Sequence, residues 1–213
     1  MARPRTISNE RILEAALAVF LERGYGATTS EIARRADVSE GTLFKRFPTK
    51  EALFLSAIAP AGTPPWFATI DALAAAPGDD VRDDLQQVVD ELLTFFETLV
   101  PRMSVLMASP FSPRDLMCRM DRHPVAGGIR KLTEWFDTEM RRGRLRMTDP
   151  EVVARILIGA LKGYAFDEQM QVNEQMPMPR TTFLRGVIDV LLRGVVPGEA
   201  VVRDARKMSE HSQ

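Results

Sequence analysis

The residues with usable chemistry crowd into one stretch, "TTSEIARRADVSEGTLFKRFPTKEAL", from Thr28 to Leu53. Two short helical patterns there are broken at Asp37-Val38. In the second, Gly41, Thr42, Lys45 and Arg46 fall within about 140° of one side, at about 100° per residue. Leu43 and Phe47 fall opposite, one turn apart, where they can pack on Ile32, Ala33, Ala36 and Val38. A bare glycine, a hydroxyl and two cations on a presented face suit a closely approached, anionic surface. Thr42, Lys45 and Arg46 can reach base edges or phosphates, and Gly41 removes the side chain that would hold backbone away. Two short helices joined by a tight turn, the second presented this way, make a helix-turn-helix that fits a major groove. Thr28, Thr29 and Ser30, at the start of the first helix, offer amides and hydroxyls to a phosphate, and Lys50 offers another contact. A charged helix face taken alone signals only solubility, so the weight rests on the whole pattern.

That pattern, within "GYGATTSEIARRADVSEGTLFKRFPTKEALF", closely resembles the DNA-binding region of TetR-type transcriptional regulators over about residues 8–55. Thr28-Thr29, Ile32-Ala33, Val38-Ser39, Gly41-Thr42-Leu43-Phe44, Phe47 and Lys50-Glu51 stand at the family's spacing. The resemblance implies operator contacts from Thr29, Ser30, Gly41, Thr42, Phe44, Lys45, Arg46 and Lys50. Two positions depart from the family's pattern. Asp37 stands where glycine is usual, and Asp tolerates the left-handed turn better than most residues. Phe44 stands where tyrosine is usual, so it offers apolar contact without a hydroxyl.

Other chemistry is sparse. The chain has two histidines, His123 and His211, and one cysteine, Cys118. Cys118 and His123 lack a third partner, so neither a zinc site nor a Cys-His nucleophile is expected. Gly127-Gly128 is not a phosphate-cradling loop. Catalytic residues, metal and cofactor are all expected to be absent, and an enzyme is a poor reading. One cysteine also rules out an intrachain disulfide. No apolar run reaches the roughly 18 residues of a membrane span, since "VVARILIGALKGYAF" is interrupted by Arg155 and Lys162. A cytoplasmic protein with no membrane partner is expected. Charge is uneven: residues 1–50 carry net +3 and the remainder net −4, which points to an anionic partner for the first part alone.

The elements that must position these residues read as helices throughout. Apolar residues recur at spacings of three and four, and no β-alternation appears. The patterns predict helices from Ser8 or Asn9 to Gly24, from Thr28, from Ser39 and from Thr49 to about Ala59. A connector with four prolines follows, with a short helix near Phe67–Ala75. Further helices are expected over about 80–108 with a kink at Pro101, within 113–121, and over 124–142. Two more are expected over 150–171, where "TDPEV" supplies Asp149 as N-cap and Pro150 at the first position, and over 181–194. The fold class is all-α: a three-helix helix-turn-helix DNA-binding domain, residues 1–55, and a larger helical ligand-binding and dimerisation domain, 56–213. Loose ends are expected at 1–7 and 199–213, and Arg3 and Arg5 are equally an arm for the minor groove or a plain tail.

The resemblance implies a homodimer on a palindromic double-stranded DNA operator, with half-sites about 34–36 Å apart. Ile156, Ala160 and Tyr164, with Leu184, Val187, Ile188 and Leu191, form apolar stripes suited to that interface. It also implies a small-molecule effector. Eleven Met and eleven Phe are adaptable linings. Phe96, Leu99, Met103, Met107, Phe111, Met117, Met120, Trp135 and Phe136 are the candidates for an apolar or amphipathic effector, although such residues also build ordinary cores. The expectation is a repressor released by its effector. The alternative is a helical small-molecule binder that no longer holds DNA.

Overall fold

The computed structural model describes residues 8–60, 62–112, 114 and 124–193. Among these residues there are ten α-helices, one 3₁₀ turn and no strand. In chain order they are α1 (Asn9–Arg23), α2 (Thr29–Ala36), α3 (Glu40–Arg46), α4 (Lys50–Ile58) and α5 (Trp66–Ala75). They continue with α6 (Val81–Met107), α7 (Pro124–Arg141), α8 (Pro150–Gln169), α9 (Val172–Gln175) and α10 (Arg180–Arg193). The 3₁₀ turn, Gly24–Gly26, follows α1.

Local chemistry starts these helices. Ser8, Thr28, Ser39 and Thr49 each take an extended conformation and accept a hydrogen bond from a backbone N–H of the first turn. Asp149 does the same for α8, with Pro150 as its first residue. Each such cap stabilises by about 1 kcal/mol. At Thr28 the capping box is complete, because Glu31 also accepts the Thr28 N–H at 3.0 Å. Asp37 ends α2 in the left-handed conformation, φ 58°, as its residue type anticipates.

Two compact units form, Met1–Pro65 with Thr94–Gly128 and Trp66–Leu93 with Ile129–Gln213. Helix α6 contributes to both. In the first unit, Ile12, Ala16, Phe20, Ile32, Leu43, Leu53, Phe54 and Ile58 are fully or almost fully buried. Phe20 and Phe54 meet edge to face at 4.9 Å. Leu106, from α6, is completely buried in the same core, and Met103, Val105 and Phe111 pack against it. The core of α1 to α4 is therefore completed by Leu106, far downstream of α4 in the sequence.

In the second unit a buried polar clamp ties three segments. Glu139 is fully buried and accepts from Arg142 at 2.8 Å, with Arg144 3.1 Å from its other oxygen. Arg144 also donates to Asp84 at 2.6 Å, and both Asp84 oxygens accept the Gly78 N–H at 3.1 Å. Elsewhere in this unit Tyr164 stacks on Phe183 at 4.4 Å, and its hydroxyl donates to the Met178 carbonyl.

Several elements differ from expectation. Helix α6, by contrast, covers the expected run, with Pro101 inside it. Helix α8 stops at Gln169, and a separate single turn, α9, begins after Gln171, which takes a left-handed conformation, φ 57°. The 3₁₀ turn was not anticipated either; Gly24, φ 65°, supplies the bend. The helix expected within 113–121 lies outside the described residues.

Candidate nucleic-acid interface

Helix α3 is docked by one side and presents the other. Leu43 is fully buried and Phe47, its C-cap, is 8% exposed. Glu40, Gly41, Thr42, Phe44 and Lys45 are exposed, and Arg46 is half-buried. An added Cβ at Gly41 would meet nothing closer than the Ser39 hydroxyl, at 3.9 Å. The fold itself thus has room for alanine there, so a glycine requirement would have to come from outside the chain. Lys45 has no ion-pair partner among the described residues. Phe44 keeps 38% of its surface in solvent, an uncommon position for a phenyl ring without a partner.

The cations and hydroxyls around α3 are held by contacts that sequence reading missed. The Arg46 guanidinium donates to Asn9 Oδ1 at 3.1 Å, so it is braced against the start of α1. The Lys50 ammonium sits 4.5 Å from the centre of the Tyr25 ring, a cation–π contact that orients it at the start of α4. Thr29 donates its hydroxyl proton to Glu40 at 3.2 Å, linking α2 to α3. That proton is not offered to a phosphate in this conformation, which leaves the Thr29 and Ser30 backbone amides and the Ser30 hydroxyl as donors at the start of α2. Arg23 and Arg35 are spent within the head, paired to Glu31 at 2.6 Å and Glu22 at 2.8 Å. Glu31 is held below the usual carboxylate range by the Thr28 backbone N–H, then by the Thr28 hydroxyl and Arg23. Apart from the Thr28–Glu31 capping box, these pairings carry no sequence signal, since the partners lie 8 to 37 residues apart.

Against known families, "Bacterial regulatory proteins, tetR family" matches residues 12–57. "AefR-like transcriptional repressor, C-terminal domain" matches residues 83–193, just over half of the chain. The chain belongs to the TetR family of transcriptional regulators. TetR-family proteins are DNA-binding regulators, and the exposed side of α3 lies within the segment that the first match covers. The HTH-type transcriptional regulator YvkB of Bacillus subtilis is 22% identical over 189 residues, covering 88% of this chain and 97% of that protein. Among solved structures, the SmeT–triclosan complex matches with a TM-score of 0.64 and 24% identity, covering 89% of this chain and 94% of that one. FadR of Bacillus subtilis in complex with stearoyl-CoA matches with a TM-score of 0.61 and 16% identity, covering 89% and 100%.

The other predicted residues separate into groups. Met103 and Phe111 are built against the head core, where Phe111 meets Tyr25 and Phe54 at 5.1 and 5.8 Å. Phe96 is buried, and Leu99 lines a cleft in the same unit. Met107 is 73% exposed. Trp135 and Phe136 are buried in the second unit, with the Trp135 indole N–H lacking a hydrogen-bond partner among the described residues. Met117 and Met120 lie outside the described residues, as do Cys118, His123, Arg3 and Arg5.

Of the dimer candidates, Tyr164, Leu184 and Ile188 are buried within the single chain. Ala160, Val187 and Leu191 are half-buried, and Ile156 is 55% exposed. The apolar residues of α8 divide between two sides. Ala154, Leu157, Leu161 and Ala165 face the chain's own core, while Val152, Ile156 and Phe166 remain in solvent at a helical repeat. Among the described residues no group of His, Cys, Asp and Glu could hold a metal ion, and no helix is long and apolar enough to cross a membrane.

Proposed function

We propose that this regulator is a dimeric repressor that occupies a palindromic operator and leaves it when an apolar or amphipathic effector binds. The observation that carries the DNA half is the exposed side of α3. It presents an unobstructed Gly41 and a Lys45 without an ion-pair partner among the described residues, over a fully buried Leu43. In this reading residues 1–55 are the DNA-binding domain and 56–213 the ligand-binding and dimerisation domain. Gly41, Thr42, Phe44, Lys45 and Arg46 face the bases. Lys50, Ser30 and Thr29, the last through its amide, hold phosphates. The site of action is the cytoplasm, where the operator is.

Dimerisation is supported by the solvent-facing stripe of α8, Val152, Ile156 and Phe166, together with Val190 of α10, 51% exposed. A monomer gains nothing from leaving these in water. Effector control is supported by the known relatives, since FadR of Bacillus subtilis binds stearoyl-CoA and SmeT binds triclosan. If the effector prefers one arrangement of the heads, the operator disfavours the effector by the same factor.

Selection of duplexes from a random pool tests the reading. A palindrome with half-sites one helical turn apart should be enriched, with affinity falling steeply as salt rises. Recovery of unenriched DNA, or no binding, would contradict it.

A further inference from the structure

We propose that a cleft in the first unit, between the proline-rich connector and the outer side of α6, holds the anionic head of the effector through Arg102. This rests on the reading that the protein is effector-controlled, and it names the effector's chemistry: an apolar body ending in an oxyanion, carboxylate or phosphate.

The cleft has a volume of about 170 Å³ and is lined by Pro60, Pro64, Pro65, Phe95, Leu99 and Arg102, with Gly62 and Thr98 completing it. Gly62 takes a left-handed conformation, φ 67°, that bends the connector there. Among the described residues, Arg102 is the only charged side chain in the lining. It is half-buried, and no carboxylate among the described residues pairs with it. Partly covering a guanidinium with no anion beside it carries a desolvation cost that a bound anion would offset. Burial pushes its guanidinium below the ordinary arginine value, and no anion among the described residues offsets it. Thr98 cannot serve an anion instead, because it donates its hydroxyl proton to the Phe95 carbonyl at 2.8 Å. An apolar wall of one phenyl ring, one leucine and three prolines beside one unneutralised fork of donors fits an amphipathic anion.

Among the described residues the guanidinium has one hydrogen bond, a long one of 3.3 Å to the carbonyl of Ala59, the C-cap of α4. A carboxylate or phosphate is a stronger acceptor than a neutral carbonyl, roughly twofold in energy, and accepts both arms of the fork. An anion in the cleft therefore competes for Arg102 with the end of a head helix. One turn further along α6, Leu106 is already part of the head core. Occupancy of the cleft is thereby written into the segment that supports α3.

Calorimetric titration of the full chain with decanoate, decyl phosphate and decan-1-ol tests this. Wild type is expected to bind at least one anion at least about tenfold more tightly than the alcohol. Whichever anion binds more tightly identifies the head group. Arg102→Met should lose that preference and Arg102→Lys should keep part of it. Thr98→Phe, which narrows the cleft from an exposed position, should weaken anion binding without lowering the melting temperature. It keeps the test valid should Arg102→Met unfold. Equal binding of anion and alcohol, no heat from either anion, or an Arg102→Met variant with wild-type preference would each overturn the proposal. Gel shift on the same samples separates the two ideas. Anion binding that leaves the operator complex intact removes effector control but keeps the site. Release by the alcohol alone, unchanged in Arg102→Met, keeps effector control but removes the site.

Discussion

Phe111 meets Tyr25 edge to face, ring centroids 5.1 Å apart at 88°. One ring belongs to the turn that leads into the helix-turn-helix, and the other to the segment just beyond α6. Together with Leu106 they make the head dependent on residues far outside the first family match, which ends at residue 57. Leu106→Ala, at a fully buried position, should destabilise the first unit by about 2–5 kcal/mol. Urea unfolding followed by circular dichroism checks this, and a loss below about 1 kcal/mol would show that the head stands without α6.

Gly41→Ala separates stability from function. Beyond its own stretch of helix backbone, the new methyl group would meet only the Ser39 hydroxyl, at 3.9 Å, and alanine in a helix is favoured over glycine by about 0.5–1 kcal/mol. The variant should melt at or slightly above the wild-type temperature while losing operator affinity in gel shift. Unchanged affinity would remove Gly41 from the interface.

Asp37 holds φ 58°, ψ 45° at the end of α2. A β-branched residue there should cost about 1–2 kcal/mol. Glycine relieves the backbone but adds about 0.4–1 kcal/mol of unfolded-state entropy. Asp37→Val should therefore lower the unfolding midpoint clearly, whereas Asp37→Gly should leave it nearly unchanged.

The polar clamp of the second unit should be intolerant. A Cβ at Gly78 would lie 2.6 Å from Asp84 Oδ1, so Gly78→Ala must displace the carboxylate that Arg144 holds. Asp84→Ala leaves Arg144 with Glu139 alone and the Gly78 N–H without its acceptor, and a covered donor left unsatisfied costs about 1–3 kcal/mol. Differential scanning calorimetry should show the lower transition temperature in both variants.

Glu31 gives the head a pH dependence of known sign. Its carboxyl is depressed in the folded chain, chiefly by the Thr28 backbone N–H. Its stabilisation is complete above the ordinary value of 4.5 and fades as pH falls through the folded-state value. Glu31→Gln should be less stable than wild type at neutral pH. The difference should shrink in acid, as read from urea midpoints between about pH 6 and about pH 3.

What could be read from the sequence was local. Ser39 and Thr49 announce helix starts within three residues, and the one-turn spacing of Leu43 and Phe47 fixes which side of α3 is docked. The buried and presented sides of α3 follow from periodicity alone. Contacts between distant side chains carry no such signal. The Arg46–Asn9 brace, the Arg102–Ala59 bond and the Asp84–Arg144–Glu139 clamp join residues with no shared pattern. The two apolar sides of α8 could not be told apart before burial assigned Leu157 inward and Ile156 outward. Met and Phe spacing likewise cannot separate lining from core, and Met103 and Phe111 turned out to be packed against the head.

The central claim is that the presented side of α3 chooses the operator. Binding-site selection run in parallel on wild type and on Lys45→Ala with Arg46→Ala tests it most directly, with melting temperature and dimer mass measured on the same samples. The account predicts that the double variant melts and assembles like wild type but enriches no sequence, keeping only weak, salt-sensitive DNA binding. Enrichment of the wild-type palindrome by the double variant, at wild-type affinity, would contradict it.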